Sequence, residues 1–176
     1  GAHAQTFSEP HTGLLKGPLR HPTADVRINP KDTLISMTFE DLGLEPSTLK
    51  AVAEAGYTTP TPIQNKAIPI VLMGRDVMGI AQTGTGKTAG FILPMIDILA
   101  SGRSRARMPR ALILCPTREL AAQAADNFAK YSKYAELNMA LIIGGTSFTD
   151  QEKALEKSCD VLIATPGRLL DLFERG

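Results

Sequence analysis

An α/β fold, with a parallel sheet covered by helices on both faces, is what this sequence predicts. Three observations carry the expectation. Short apolar runs (76–80 DVMGI, 111–115 ALILC, 139–143 MALII, 160–164 DVLIA) alternate with longer segments of helical period. Proline near the start and glycine just past the end punctuate those longer segments, the asymmetry of helix termini. Hydrophobic residues make up 43% of 176 positions, enough to give one domain a sizeable core. Strands alternating with helices of this length are βαβ units.

Residues 1–36 stand apart. They hold all three histidines (His3, His11, His21) and four of the twelve prolines, with no apolar periodicity. Such a segment buries too little surface to offset its ordering entropy. It is expected to be a disordered leader, either tag or upstream sequence, ahead of a domain at 37–176. Met37, just before the first organised stretch, is a candidate native start.

From Glu45 the elements follow in order. EPSTLKAVAEAG has Pro46 at a helix start and Gly56 past its end, and TPIQNKAIPIVLMG repeats that logic to Gly74. DVMGI reads as a short buried strand and KTAGFILPMIDILA as the helix after it. ALILC is strand. TRELAAQAADNFAKYSKY is helix, with Leu120, Ala124, Phe128 and Tyr131 on one face. MALIIGG is strand, DQEKALEKS a short helix, DVLIA strand, and PGRLLDLFERG a final helix. No internal repeat is present.

The net charge of +1 argues neither for nor against a polyanionic partner, since a local patch can act without a global excess. Cys115 and Cys159 sit in or beside apolar runs without metal-ligand spacing and read as reduced, structural thiols. Pro69 and Pro94 break the longest apolar runs below the ~20 residues of a membrane span. No continuous apolar segment near the N-terminus suggests a signal peptide. The expectation is a soluble, cytoplasmic domain without membrane association. The arginines of RSRARMPR, 103–110, lie in a connecting loop, where a charge run is usually solvated, with an auxiliary nucleic-acid contact as the competing reading.

The stretch AQTGTGKT, 81–88, carries the first chemistry. The phosphate-loop pattern is G-x-x-x-x-G-K-[ST]. Gly86, Lys87 and Thr88 match its end, while Ala81 occupies its first position. Gly84 and Gly86 can present successive backbone N–H groups as an anion nest at a helix N-terminus. Lys87 would reach β- and γ-phosphates, and the Thr88 hydroxyl would ligate Mg²⁺. The competing reading is a flexible Gly/Thr loop joining strand to helix.

The Ala81 departure points to a family. AQTGTGKT resembles the phosphate loop of DEAD-box RNA helicases, and flanking stretches resemble further motifs of that family in the same order. GYTTPTPIQ (Gly56 to Gln64) resembles the Q motif, and Phe39 precedes Gly56 by seventeen residues, where the family places an isolated aromatic. PTRELAAQ (Pro116 to Gln123) resembles motif Ia, Gly144–Gly145 the GG element, and TPGRLLD (Thr165 to Asp171) motif Ib. The resemblance spans about Phe39 to Asp171.

The resemblance implies a RecA-like P-loop NTPase domain and an ATP-dependent RNA helicase as the parent protein, with ATP and Mg²⁺ as cofactors. Ala81, Gln82, Thr83, Gly84, Thr85, Gly86, Lys87 and Thr88 would bind nucleotide; Lys87 and Thr88 would serve catalysis, with Thr88 on the metal. Gln64 would read adenine, because an amide can meet its N6–H₂ and N7 edge, where guanine presents O6 in place of N6–H₂. Tyr57 would stack on the ring and Phe39 support the pocket, although ordinary core packing competes for both. Thr59 stands where relatives often carry Lys or Arg, with little consequence expected for adenine reading.

The resemblance also implies an RNA track of Pro116, Thr117, Arg118, Gly144, Gly145, Thr165, Pro166, Gly167 and Arg168, which would grip sugar–phosphate backbone without reading sequence. Arg118 pairing with a carboxylate, and Thr165-Pro166-Gly167 merely starting a helix, are the plainer alternatives.

The family hydrolyses ATP with an Asp-Glu-Ala-Asp motif, a Ser-Ala-Thr motif and an arginine finger on a second RecA-like domain. None occurs in these 176 residues. The sequence therefore reads as the first part of the first helicase domain, cut after motif Ib. It is expected to bind adenine nucleotide without turning it over, because phosphoryl transfer depends on those charges. A bared sheet edge would permit self-association. Another P-loop enzyme such as a small-molecule kinase, and a non-catalytic nucleotide-binding module, are the alternative classes.

Overall fold

A computed structural model describes residues 24–27, 37–102 and 108–175. Strand β1 (Ala24–Arg27) leads to a 3₁₀ turn at Phe39–Leu42, then helices α1 (Pro46–Glu54) and α2 (Pro62–Leu72). Strand β2 (Val77–Ile80) and helix α3 (Lys87–Ser101) follow. Then come β3 (Ala111–Leu114), α4 (Arg118–Tyr131), β4 (Met139–Ile142), α5 (Phe148–Glu156), β5 (Val161–Ala164) and α6 (Pro166–Arg175).

The punctuation seen in the sequence sets these boundaries. Pro46 and Pro62 open α1 and α2, where a missing N–H costs nothing. Both helices close with a left-handed glycine. After α1, Gly56 (φ 83°) donates to Ala53 O at 2.9 Å and Tyr57 N–H to Val52 O at 3.2 Å. After α2, Gly74 (φ 70°) donates to Val71 O at 2.8 Å and Arg75 N–H to Ile70 O at 3.4 Å. This paired bonding satisfies carbonyls that a helix end leaves free.

Every strand pair is parallel, as the alternation predicts. Among the described residues the strands form two sheets, β1-β2 and β3-β5-β4, where one was expected. Central β5 is wholly buried. Its Val161 and Ile163 join the main core with Ile92, Leu93 and Ile96 of α3 and Phe128 of α4. Leu162 and Ala164 face a smaller core, where Leu155, Leu169 and Leu172 of α5 and α6 pack. Helices thus cover both faces of the larger sheet.

Three further expectations need correction. Strand β1 falls inside the leader expected to be disordered, pairing Ala24 to Val77 through Arg27 to Ile80. Four residues, with Val26 buried among those described, make too short a pattern to read. The DVMGI strand, expected to be buried, exposes Met78 by 55% and Ile80 by 51%, because β2 has a strand on only one side among the described residues. On β3, Leu112 and Leu114 are likewise exposed. They line a groove of about 480 Å³ with Phe91, Met95 and Ile98 of α3. The rest of 1–36, and Arg103, Arg105 and Arg107 of the basic run, lie outside the described residues. Arg110 of that run is no solvated charge: its Nε and Nη2 donate to Asp160 Oδ1 at 3.1 and 2.7 Å, and its Nη1 to Leu99 O at 2.9 Å.

Candidate functional site

The loop Ala81–Gly86 joins β2 to α3, and Gly86 is the N-cap of α3. Gly84 and Gly86 both have positive φ, 81° and 77°, a conformation that strains residues with a Cβ. Thr85 Oγ1 donates to Gln82 O at 2.6 Å and Lys87 Nζ to Ala81 O, so the loop closes on itself. Lys87 is exposed at the first helical position, Thr88 is half-buried behind it, and Gln82 and Thr83 are open to solvent. A concave turn with left-handed glycines, a cation and the free N–H groups of a helix start fits an oligophosphate.

Gln64 meets this loop directly. It is 5% exposed on α2; its Oε1 accepts from Thr61 N–H at 3.0 Å and its Nε2 donates to Gly86 O at 3.1 Å. The amide predicted to read adenine therefore also fixes the phosphate loop to α2. The two aromatics expected beside it differ in burial. Phe39 is buried in the main core. Tyr57 is about half-exposed, with its ring 6.3 Å from that of Tyr131 on α4.

The second set of residues converges. Pro116, Thr117, Arg118, Gly144, Thr165, Pro166, Gly167 and Arg168 line one open cleft of about 540 Å³, together with Glu119 and Asp171. Parallel pairing of β3, β4 and β5 explains this, since the loops after all three strands emerge at one end. Thr117 also caps α4, its hydroxyl accepting from Leu120 N–H at 3.2 Å. Arg118 makes no ion pair among the described residues and lies over the Gly144–Gly145 backbone. A Cβ on Gly145 (φ 81°) would sit 2.7 Å from its Nη1, so glycine there makes room for the guanidinium.

Arg168 is held more firmly. Its Nε donates to Gln151 Oε1 at 2.9 Å and its Nη2 to Thr146 O at 2.7 Å, and its guanidinium carbon stands 3.2 Å from the centre of the Phe148 ring. Sequence reasoning missed Gln151 and Phe148. FTDQEKALE reads as an ordinary polar helix, and nothing in it distinguishes a buried amide from a surface one. Burial pushes the thiols of Cys115 and Cys159 up, which keeps them protonated and unreactive at neutral pH. No helix among the described residues is long and apolar enough to cross a membrane.

A strand, a glycine-rich anion nest and a lysine-bearing helix N-terminus define a P-loop nucleotide-binding domain of α/β class. The family model described as DEAD/DEAH box helicase matches residues 61–176. The chain belongs to that family. It is 51% identical over 134 residues to the DEAD-box ATP-dependent RNA helicase RhpA of Helicobacter pylori (strain B128), covering 76% of this chain and 26% of the relative. It is 46% identical over 142 residues to ATP-dependent RNA helicase DeaD of Mycobacterium tuberculosis (strain CDC 1551 / Oshkosh), covering 78% and 24%. The chain thus spans about a quarter of the length of these curated relatives.

Among solved structures, a DEAD box protein from the hyperthermophile Methanococcus jannaschii matches with a TM-score of 0.72 and 38% identity, over 81% of this chain and 38% of that one. The RNA-helicase Prp28 from Chaetomium thermophilum, bound to ADP, matches with a TM-score of 0.74 and 42% identity, over 80% and 35%.

Proposed function

We propose that this chain is the nucleotide-binding part of an ATP-dependent RNA helicase that opens short duplexes or remodels RNA–protein complexes in the cytoplasm. The observation that carries the reading is the cleft. Three loops from different strands bring together two arginines, two threonines and two closely approachable glycines, a set suited to sugar–phosphate backbone. Residues 37–176 make up the helicase domain, preceded by a leader whose strand β1 lies along β2.

The roles divide between the two sites. The α3 N-terminus and the loop glycines bind the phosphates, Lys87 neutralises charge on the outer ones, and the Thr88 hydroxyl helps hold Mg²⁺. Gln64 recognises adenine, with Tyr57 beside the base and Phe39 bracing the fold behind it. When bound, ATP with Mg²⁺ supplies the phosphoryl-transfer free energy that couples to strand opening. Arg118 and Arg168 hold the RNA. A second RecA-like domain completes catalysis, so this chain by itself holds nucleotide without hydrolysing it. The exposed β3 edge, with Leu112 and Leu114, favours self-association of the isolated chain, and a monomer at every concentration in sedimentation would count against that.

Binding of fluorescent ADP and GDP, with Gln64→Ala alongside, tests the nucleotide half. ADP should bind at least about tenfold tighter, a gap of ~1.4 kcal/mol, and Gln64→Ala should erase the gap. Equal affinity for both nucleotides in the unaltered chain would remove Gln64 from the adenine site.

A further inference from the structure

We propose that Gln151 is a positioning residue for strand binding: its buried amide, together with the Phe148 ring, locks the Arg168 guanidinium in one orientation at the cleft. The inference rests on the reading of that cleft as an RNA track.

The hydrogen bonds leave the Gln151 amide little freedom. Gln151 is 4% exposed. Its Nε2 donates to Ile143 O at 2.7 Å and also meets Thr146 Oγ1, which in turn donates to Ile143 O at 3.0 Å. With both Nε2 hydrogens directed into the turn after β4, Oε1 is left to accept, and it takes Arg168 Nε–H. The orientation of the amide is fixed by this donor count. One buried side chain thus ties the Gly144–Gly145 loop to the start of α6.

The aromatic contact closes the remaining freedom. Arg168 Cζ and Arg175 Cζ lie 3.2 and 3.6 Å from the Phe148 ring centre, too close for both to share one face, so the ring is sandwiched between two guanidinium groups. Stacking of this kind favours the cation electrostatically. Nε and one Nη2 hydrogen of Arg168 are committed to the protein, which leaves the Nη1 side of the fork for a ligand in the cleft it lines. A guanidinium already held in its binding orientation loses little rotamer freedom when a phosphate arrives. Arg118, without such a clamp, must order on binding.

The test is a double-mutant cycle on this chain, read as affinity for a short single-stranded oligouridine by fluorescence anisotropy. Gln151→Met keeps the side chain's length and removes its hydrogen bonds. It should weaken binding about fivefold alone and have no effect in an Arg168→Ala background, the coupling expected within one hydrogen-bond network. Phe148→Leu should follow the same pattern, and carries the test if Gln151→Met does not fold.

A residue that only stabilised the fold would cost the same in both backgrounds, which would overturn the positioning role while leaving the track intact. Arg168→Ala without effect on affinity would overturn the track and the positioning with it. A readout free of RNA accompanies these. The Arg168 Nε–H resonance should be slow to exchange with solvent and become fast in Gln151→Met; fast exchange in the unaltered chain would contradict the clamp.

Discussion

Replacing Gly86 by alanine should be among the costliest single changes in the phosphate loop, and the size follows from two separate contributions. Gly86 has φ 77°, and an L-residue forced into the left-handed region loses about 1–2 kcal/mol. The added Cβ would then lie 2.3 Å from Gln64 Nε2 and 3.3 Å from its Cδ. That amide is buried and cannot step aside without giving up its bonds to Thr61 N–H and Gly86 O. Leaving such groups unsatisfied costs about 1–3 kcal/mol more. The sum is about 2–5 kcal/mol.

Gly84 supplies the internal control. Its φ is 81°, but a Cβ there meets nothing within 4 Å, so Gly84→Ala should cost only the backbone strain. The chain has no tryptophan, so urea denaturation is best followed by far-UV circular dichroism. Gly86→Ala should exceed Gly84→Ala by the Gln64 contribution, and that excess should vanish when both are made in a Gln64→Ala background. Equal penalties for the two glycines, or an excess that survives Gln64→Ala, would refute the argument.

The carboxylate of Asp160 accepts from Asn138 N–H at 2.9 Å and from two nitrogens of Arg110. Asp160→Ala strands a backbone donor and a part-buried guanidinium, so it should cost about 3–5 kcal/mol in urea, and more than Arg110→Ala; the reverse order would rule out this hierarchy. On the alkaline side, burial raises the pKa of the Cys115 and Cys159 thiols, and burial with Tyr57 nearby raises that of the Tyr131 phenol. Groups with folded values above their unfolded ones leave stability intact below the ordinary thiol value of about 8.5 and erode it as pH climbs towards the folded values. Melting temperature should therefore fall above that pH, with Tyr131→Phe removing the part beyond about 10. A flat profile would contradict the shifts.

Element identity was legible in the sequence because each boundary is made by local chemistry: Pro46 and Pro62 at starts, Gly56 and Gly74 at ends, β-branched or apolar runs between them. The phosphate loop was legible for the same reason, since glycine, lysine and threonine there answer to backbone geometry and anions, whereas the three loops of the cleft were singled out only through the family resemblance. What escaped was decided at a distance. Whether β2 is buried depends on which strands lie beside it. Asp97 looks like any polar residue of α3, yet it is 6% exposed and accepts the Glu45 N–H that opens α1, at 2.7 Å. Gln151 became informative only once its amide could be traced to Arg168, and the bond from Gln64 to Gly86 O was likewise visible only in three dimensions.

The larger sheet has two ends with different duties. At one, Asp160 reaches the strand before it through Asn138 and the strand beside it through Arg110, so three chain segments converge on a single carboxylate. At the other, the same strands release the loops that form the cleft. Sequence drift at the clamped end is penalised by unfolding, whereas drift at the open end, apart from the Thr117 cap, Gly145 and Gln151, would be penalised through ligand affinity under the proposed role. A library that randomises the cleft loops and leaves Asp160 and Arg110 untouched should therefore recover mostly folded variants, and would separate the grip on a strand from the integrity of the scaffold that presents it.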